Sequence, residues 1–344
     1  MAYSSIAKPS DHFNTVLYTG NGSTQSITGV GFQPDWVWLK VRTQSYSHRV
    51  FDSVRGANKR LYPNTNEAED SPTTALTSFD SDGFSLGSDT GQNQNTDTFV
   101  SWNWKAGGAS TSTNSDGDIN GTQTVNQTAG FSVTTYNGNG GSNQSLGHGL
   151  GATPKIYINK RRDNTGQWLF VTTIIDGSLD YLFLETTGAK SNSSRTAPTS
   201  SVVYLENGGD ANESGGTHVM YAFSEKQGYS KFRTYTGNGN ADGAFIHTGF
   251  KPAVVIIKKS SASGSNWRIH DNRRLGYNGG NNELYINTNG TEGPNRLDIL
   301  SNGIKIITTD TAYNASGETY VCMAFAENPF VGNDSGTAVP GTAR

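Results

Sequence analysis

The residues of this chain that could do chemistry are few, and their spacing suits it poorly. Glu67, Glu69 and Asp70 form an acidic cluster. A glycoside hydrolase needs such carboxylates as acid and base or nucleophile, but at a fixed spatial separation. This cluster lies between Pro63 and Pro72, the usual setting of a solvated loop. Asp80-Ser-Asp82-Gly83 opens like a calcium loop, yet no glutamate follows at the required spacing. A turn in which Asp binds its own backbone is the simpler reading. The histidines, His12, His48, His148, His218, His247 and His270, offer no pair at metal-ligand spacing on one element. His148 and His247 stand in related loops before a proline and read as structural. Cys322 sits in an apolar run without a nearby His or orienting partner, so it reads as an inert buried thiol, and no internal disulfide can form. No catalytic, cofactor-binding or metal site is assigned. The chain is expected not to be an enzyme and to need no cofactor.

What the sequence does carry is repetition. Tyr18-Thr-Gly-Asn-Gly22, Tyr136-Asn-Gly-Asn-Gly140 and Tyr235-Thr-Gly-Asn-Gly239 open three similar stretches. Pro34, Pro154 and Pro252 follow, and six residues beyond each stands a lysine, Lys40, Lys160 or Lys258. Each stretch closes on a strand-like run: Thr98-Phe-Val-Ser-Trp-Asn-Trp104, Thr217-His-Val-Met-Tyr-Ala-Phe223 and Thr319-Tyr-Val-Cys-Met-Ala-Phe325. The shared positions lie two apart, so they point to one face of a strand and predict a core stripe. Trp168 and Trp267 fall at one offset from their tyrosines, where the first copy has Val50. They read as core, against the alternative of an exposed platform for sugar stacking. Trp102 and Trp104 read as buried too, and Trp36 and Trp38 raise the same question. Gly-Asn-Gly reads as a hairpin or bulge turn, and Asp82-Gly83 and Asn302-Gly303 as the turns of two further hairpins.

Composition agrees with a β-protein. Apolar residues make up only 33% and glycines number 42, but the apolar ones gather in short runs rich in Val, Ile, Tyr, Phe and Trp. No window keeps a helical period, so almost no helix is expected. A net charge of -3 without a basic stripe argues against nucleic acid, and no membrane span or signal peptide is read. The expected fold class is all-β, three tandem antiparallel β-sandwich repeats. Residues 1–10 form an arm, 11–106 the first repeat, 107–118 a Gly/Ser/Thr linker without a large apolar anchor, 119–227 the second repeat, 228–330 the third and 331–344 a tail. Residues 119–125 are expected as an edge strand and residues 58–74 as an exposed loop. Each sandwich is expected to hold its own core.

Tyr-Thr-Gly-Asn-Gly, Phe51-Asp-Ser-Val-Arg-Gly56, Phe79-Asp-Ser-Asp-Gly-Phe84 and Met323-Ala-Phe-Ala-Glu-Asn-Pro-Phe330 together resemble a family of repeats of unknown function. That family occurs in virion proteins of tailed bacteriophages, many of them marine. The second copy departs most, lacking Phe-Asp-Ser. The resemblance implies lectin-like or SPRY-like jelly-roll sandwiches in a structural component on the particle exterior: a tail fibre, knob or capsid decoration that aids host attachment. Partners would be other virion proteins, further copies of the chain, a trimer being favoured, and a host-surface glycan. The protein would be made in the host cytoplasm, released by lysis and found on the virion, with an end of the chain docking it. A dedicated carbohydrate-binding adhesin and a polysaccharide-degrading enzyme are the alternatives. An aromatic beside Asn, Asp or Arg in a concave loop would favour the adhesin.

Overall fold

A computed structural model describes residues 4–108, 110–274, 278, 282–294 and 296–329. The fold is all-β, with 42% strand and 3% helix in several antiparallel sheets. The strands of the four-strand patterns are largely the predicted apolar runs, where β-branched and aromatic residues fit a pleated surface. The short helices Thr90–Asn93 and Thr311–Asn314 cap loops, and among the described residues no helix is long and apolar enough to cross a membrane.

One strand order recurs along the chain. In the first segment Phe13–Thr19, Thr98–Trp104, Trp36–Val41 and Arg49–Asp52 lie side by side. In the middle segment Phe131–Asn137, Thr217–Phe223, Ile156–Arg161 and Leu169–Thr172 repeat that order. In the third, Ser230–Thr236, Thr319–Pro329, Phe250–Lys259 and Arg268–Asp271 do so again. In all three the closing strand thus lies between the opening strand and the strand that carries the repeat lysine, and pairs with both. A smaller sheet covers one face. It comprises Gln25–Ile27, Gly83–Leu86 and Leu76–Asp80 in the first segment, and Phe245–His247, Gly303–Ile306 and Leu297–Leu300 in the third. The hairpins at Asp82-Gly83 and Asn302-Gly303 form as read from the sequence. The middle segment has only two strands in this layer, Gln144–Gly147 and Val202–Leu205.

Both faces of each large sheet are buried, for different reasons. Along Trp36–Val41, Val37 and Leu39 pack into the segment's own sandwich, whereas Trp36 and Trp38 face outward from it into a second core. That second core is common to the three segments. Trp36 stacks on Tyr221 with centroids 4.7 Å apart, Trp104 meets Phe325 at 5.6 Å, and Phe223 meets Phe325 at 5.8 Å. The alternating stripe of the closing strands is therefore buried, but against the neighbouring segments. Each sandwich thus keeps a core of its own, as expected, and the three share a further one that the sequence reading did not foresee.

Other expectations also change. Residues 107–118 contain the strand Ser112–Asn114, which pairs with Gly121–Asn126 and takes the sheet edge expected of residues 119–125. Polar residues suffice there because ladder hydrogen bonds, not burial, hold an edge strand. Gly107 and Gly108 are tied by their amides to Thr124 Oγ1 and Asp35 Oδ2. In residues 4–10 of the expected arm, Ile6 and Pro9 are buried, Ile6 in the common core. Residues 58–74 fold back, with Leu61 buried beside Val50 and Arg60 bridging to Asp70. The expected tail, 331–344, and residues 1–3 lie outside the described residues.

Candidate functional site

The recurrent motifs prove to be one structural device. Asn93, Asn212 and Asn314 are buried five residues before each closing strand. Each side-chain oxygen accepts the amide of the motif asparagine: Asn21 at 3.0 Å, Asn139 at 2.9 Å and Asn238 at 2.9 Å. Each motif tyrosine, Tyr18, Tyr136 or Tyr235, donates its hydroxyl to the carbonyl just before that asparagine. The first glycine is required by close approach, since a Cβ on Gly20, Gly138 or Gly237 would lie 2.1–2.3 Å from a carbonyl oxygen. The second, Gly22, Gly140 or Gly239, has φ of +71 to +73°, a region open to glycine. Gly-Asn-Gly is thus not a hairpin: the chain crosses there from one sheet to the other. The buried asparagines escaped the sequence reading, although their constant distance from the closing threonine was a usable signal.

Several titratable groups hold segments together. Glu69 accepts from Arg162 of the middle segment at 3.0 and 3.1 Å and from Arg55 at 2.9 Å. Burial opposes its charge, but Arg162 and Arg55 outweigh it, and its carboxyl titrates below the ordinary value. Glu292 does the same between Arg42 of the first segment and Arg274. Asp70 pairs with Arg60, and Glu67 accepts from Thr65. Asp52 and Asp271 are fully buried against Arg55 and Arg274. Their second partners come from neighbouring closing strands: Tyr221 donates to Asp52 at 2.7 Å, and Trp102 Nε1 to Asp271 at 3.0 Å. Met323 occupies the corresponding closing-strand position in the third segment and has no N–H or O–H to offer. The middle segment has Thr172 in place of the aspartate, with Ile174 and Ile175 packed on the common core. This accounts for its missing Phe-Asp-Ser motif.

The rings before the fourth strand close the circle. Trp168 Nε1 donates to the Tyr62 carbonyl at 2.9 Å, Trp267 Nε1 to Phe183 at 3.0 Å, and His48 Nε2 bonds to the Tyr285 carbonyl at 3.0 Å. Trp38 Nε1 donates to His48 Nδ1, so Nε2 carries the proton. First to third, third to middle, middle to first: the contacts form a ring. His48, not Val50, is the counterpart of the two tryptophans, because the first copy is two residues shorter before this point. The six tryptophans are at most 2% exposed, which removes them as sugar platforms.

The remaining candidates are also engaged. Asp82 accepts from the Gly29 and Gly31 amides, which lower its carboxyl. His148 is buried and accepts from Leu150, as read, but its counterpart is Thr248, which accepts from Phe250, and His247 is exposed. His218 stacks on Tyr136, His270 bonds Tyr313 and His12 meets Asn126. Burial pushes the Cys322 thiol up to about 12. Among the described residues no group of three or more His, Cys, Asp or Glu is placed to hold a metal.

One concave feature differs from its counterparts. In the middle segment the smaller sheet lacks a third strand, and a cavity of about 180 Å³ opens there. Its walls include Leu169, Tyr181 and Phe183 on one side and Glu206, Asn207 and Asp210 on the other. Arg195, 7% exposed, also lines it. In the first segment the ring matching Phe183 is Tyr62, covered by Arg60 at 5.0 Å, and in the third it is Tyr285, covered by Arg268 at 5.0 Å. In the middle segment Leu169 replaces the first arginine of the fourth strand, which is Arg49 or Arg268 in the others. Nothing in the sequence flagged Tyr181 or Phe183, since the signal is a strand that fails to form.

No curated protein matches the chain. No solved structure matches it either. A single family model, described as a domain of unknown function (DUF7483), matches residues 8–329, a span that takes in the three strand patterns and the ring between them. The chain belongs to the DUF7483 family.

Proposed function

We propose that the protein is a non-enzymatic structural component on the exterior of a bacteriophage particle, in a fibre, knob or decoration, where it aids attachment to the host surface. The observation that carries this reading is the use made of its charged and hydrogen-bonding side chains. Glu69, Glu292, Asp52, Asp271 and His48, the groups from which catalysis would draw, bind one segment to the next. A body braced in this way presents polar loops at fixed spacing, and contacts that are weak singly gain strength when many copies act together. The motif resemblance supplies the phage context. Assembly as a homo-oligomer, with a trimer favoured, and docking on other virion proteins through an end of the chain belong to the same proposal.

The test is localisation. Purified particles from a lysate should carry the protein at stoichiometric copy number, and an antibody against it should label their exterior. A protein left in the soluble lysate, absent from every particle fraction, would overturn the reading. Release of reducing ends from host polysaccharide by the purified protein, abolished by changing one carboxylate, would replace it with an enzyme.

A further inference from the structure

The geometry points to the cleft in the middle segment as a binding site for one neutral pyranose ring, such as the terminal residue of a surface glycan. Sugar sites combine an aromatic face, which meets the C–H side of the ring, with a few fixed polar groups that sort the hydroxyls. Tyr181 and Phe183 supply aromatic surface: both are half-buried, with ring centroids 5.5 Å apart in an edge arrangement. The matching rings of the other segments are capped by arginine, so of these three rings it is Phe183 that leaves its aromatic surface to a ligand.

The polar groups are suited to hydroxyls. Glu206 is 48% exposed in its side chain and lies 3.4 Å from Arg195 Nε. Asp210 is held by the Gln167 amide at 2.6 Å through Oδ1, and Asn207 adds an amide. Carboxylates accept hydroxyl protons and disfavour an anionic sugar. Among the lining residues Arg195 Nη1 is buried with no hydrogen-bond partner. Such groups are costly unless something satisfies them. At about 180 Å³ the cleft is smaller than drug-sized pockets and fits a single ring. The site is also firmly mounted, because the Phe183 carbonyl accepts from Trp267 of the third segment.

The inference takes only its biological setting from the exterior-attachment reading, so purified protein tests it separately from localisation. Saturation-transfer NMR and calorimetry would use the methyl glycosides of glucose, galactose, mannose and N-acetylglucosamine, with sialic acid as the anionic comparison. At least one neutral glycoside should bind saturably. Tyr181→Ala should weaken it by about tenfold and Glu206→Gln by severalfold, with thermal unfolding unchanged enough to show the fold intact. Thr77→Ala, an exposed change in the first segment, should leave binding as it was. Absence of saturable binding by all four, preference for sialic acid, or binding indifferent to both cleft variants would each overturn the assignment.

Discussion

Lys40, Lys160 and Lys258 show most clearly how a repeat position acquires a cost. They stand two residues past Trp38, Ile158 and Ile256 and share their face, so the alternation that builds the common core also buries an ammonium at its margin. Main-chain carbonyls receive them: Val41 at 2.7 Å, Gly166 at 2.9 Å and Lys259 at 2.6 Å. Burial lowers Lys40 to about 7 and Lys160 and Lys258 to about 8, against 10.5 in an unfolded chain. A base whose folded pKa is depressed binds more protons unfolded than folded between those values, so stability rises with pH across that window. Cys322 acts oppositely above pH 9, its ordinary value, because its thiol stays protonated in the fold up to about 12. The melting temperature should therefore climb from pH 7 to pH 9. Lys40→Met should flatten the climb. A level or falling profile in the native protein would show that the lysines keep their charge when folded.

At the scale of elements, the closing strand, the hairpins and the near absence of helix were legible, because alternation of Val and aromatics fixes which face is buried. The Gly-Asn-Gly turn was legible as a turn and misread as a hairpin. Asn and Gly report local backbone freedom, and only the distant partner, Asn93, Asn212 or Asn314, reveals that the chain changes sheets there. Strand Ser112–Asn114 was hidden for a related reason, since an edge strand of Ser, Thr and Asn has the composition of a linker. The glycine device yields a prediction with an internal control. Gly237→Ala puts a methyl 2.3 Å from the Ala315 carbonyl oxygen, and backbone on both sides prevents easy relief. It should destabilise the protein by about 2–4 kcal/mol in urea unfolding, the upper range for a single strained substitution. Gly290→Ala, whose Cβ would meet nothing nearer than 3.6 Å, should change little. Equal effects would mean that the turn can move aside.

For the whole molecule, what the sequence withheld was the destination of the outward stripe. A period of two says that Trp102, Trp104, Tyr221, Phe223, Met323 and Phe325 share faces, but not whether the surface opposite belongs to the same repeat. Two faces of each large sheet needed cover, and one small sheet could cover only one of them. The other segments cover the second, and the ion pairs and indole bonds crossing between them fix the arrangement. Removing one segment would expose Trp36, Trp104 and their neighbours and strip Asp52 of the Tyr221 donor or Asp271 of the Trp102 donor, a penalty that a single sandwich has little to set against. Unfolding should accordingly be one cooperative transition, with the calorimetric and van't Hoff enthalpies in agreement. Phe325→Ala removes a ring that touches Phe13 and Trp104 of the first segment and Phe223 of the middle one. It should cost about 3–5 kcal/mol and shift that whole transition downward. Two or three resolved transitions, with only one displaced by the substitution, would show that each sandwich stands by itself and that the common core contributes little to stability.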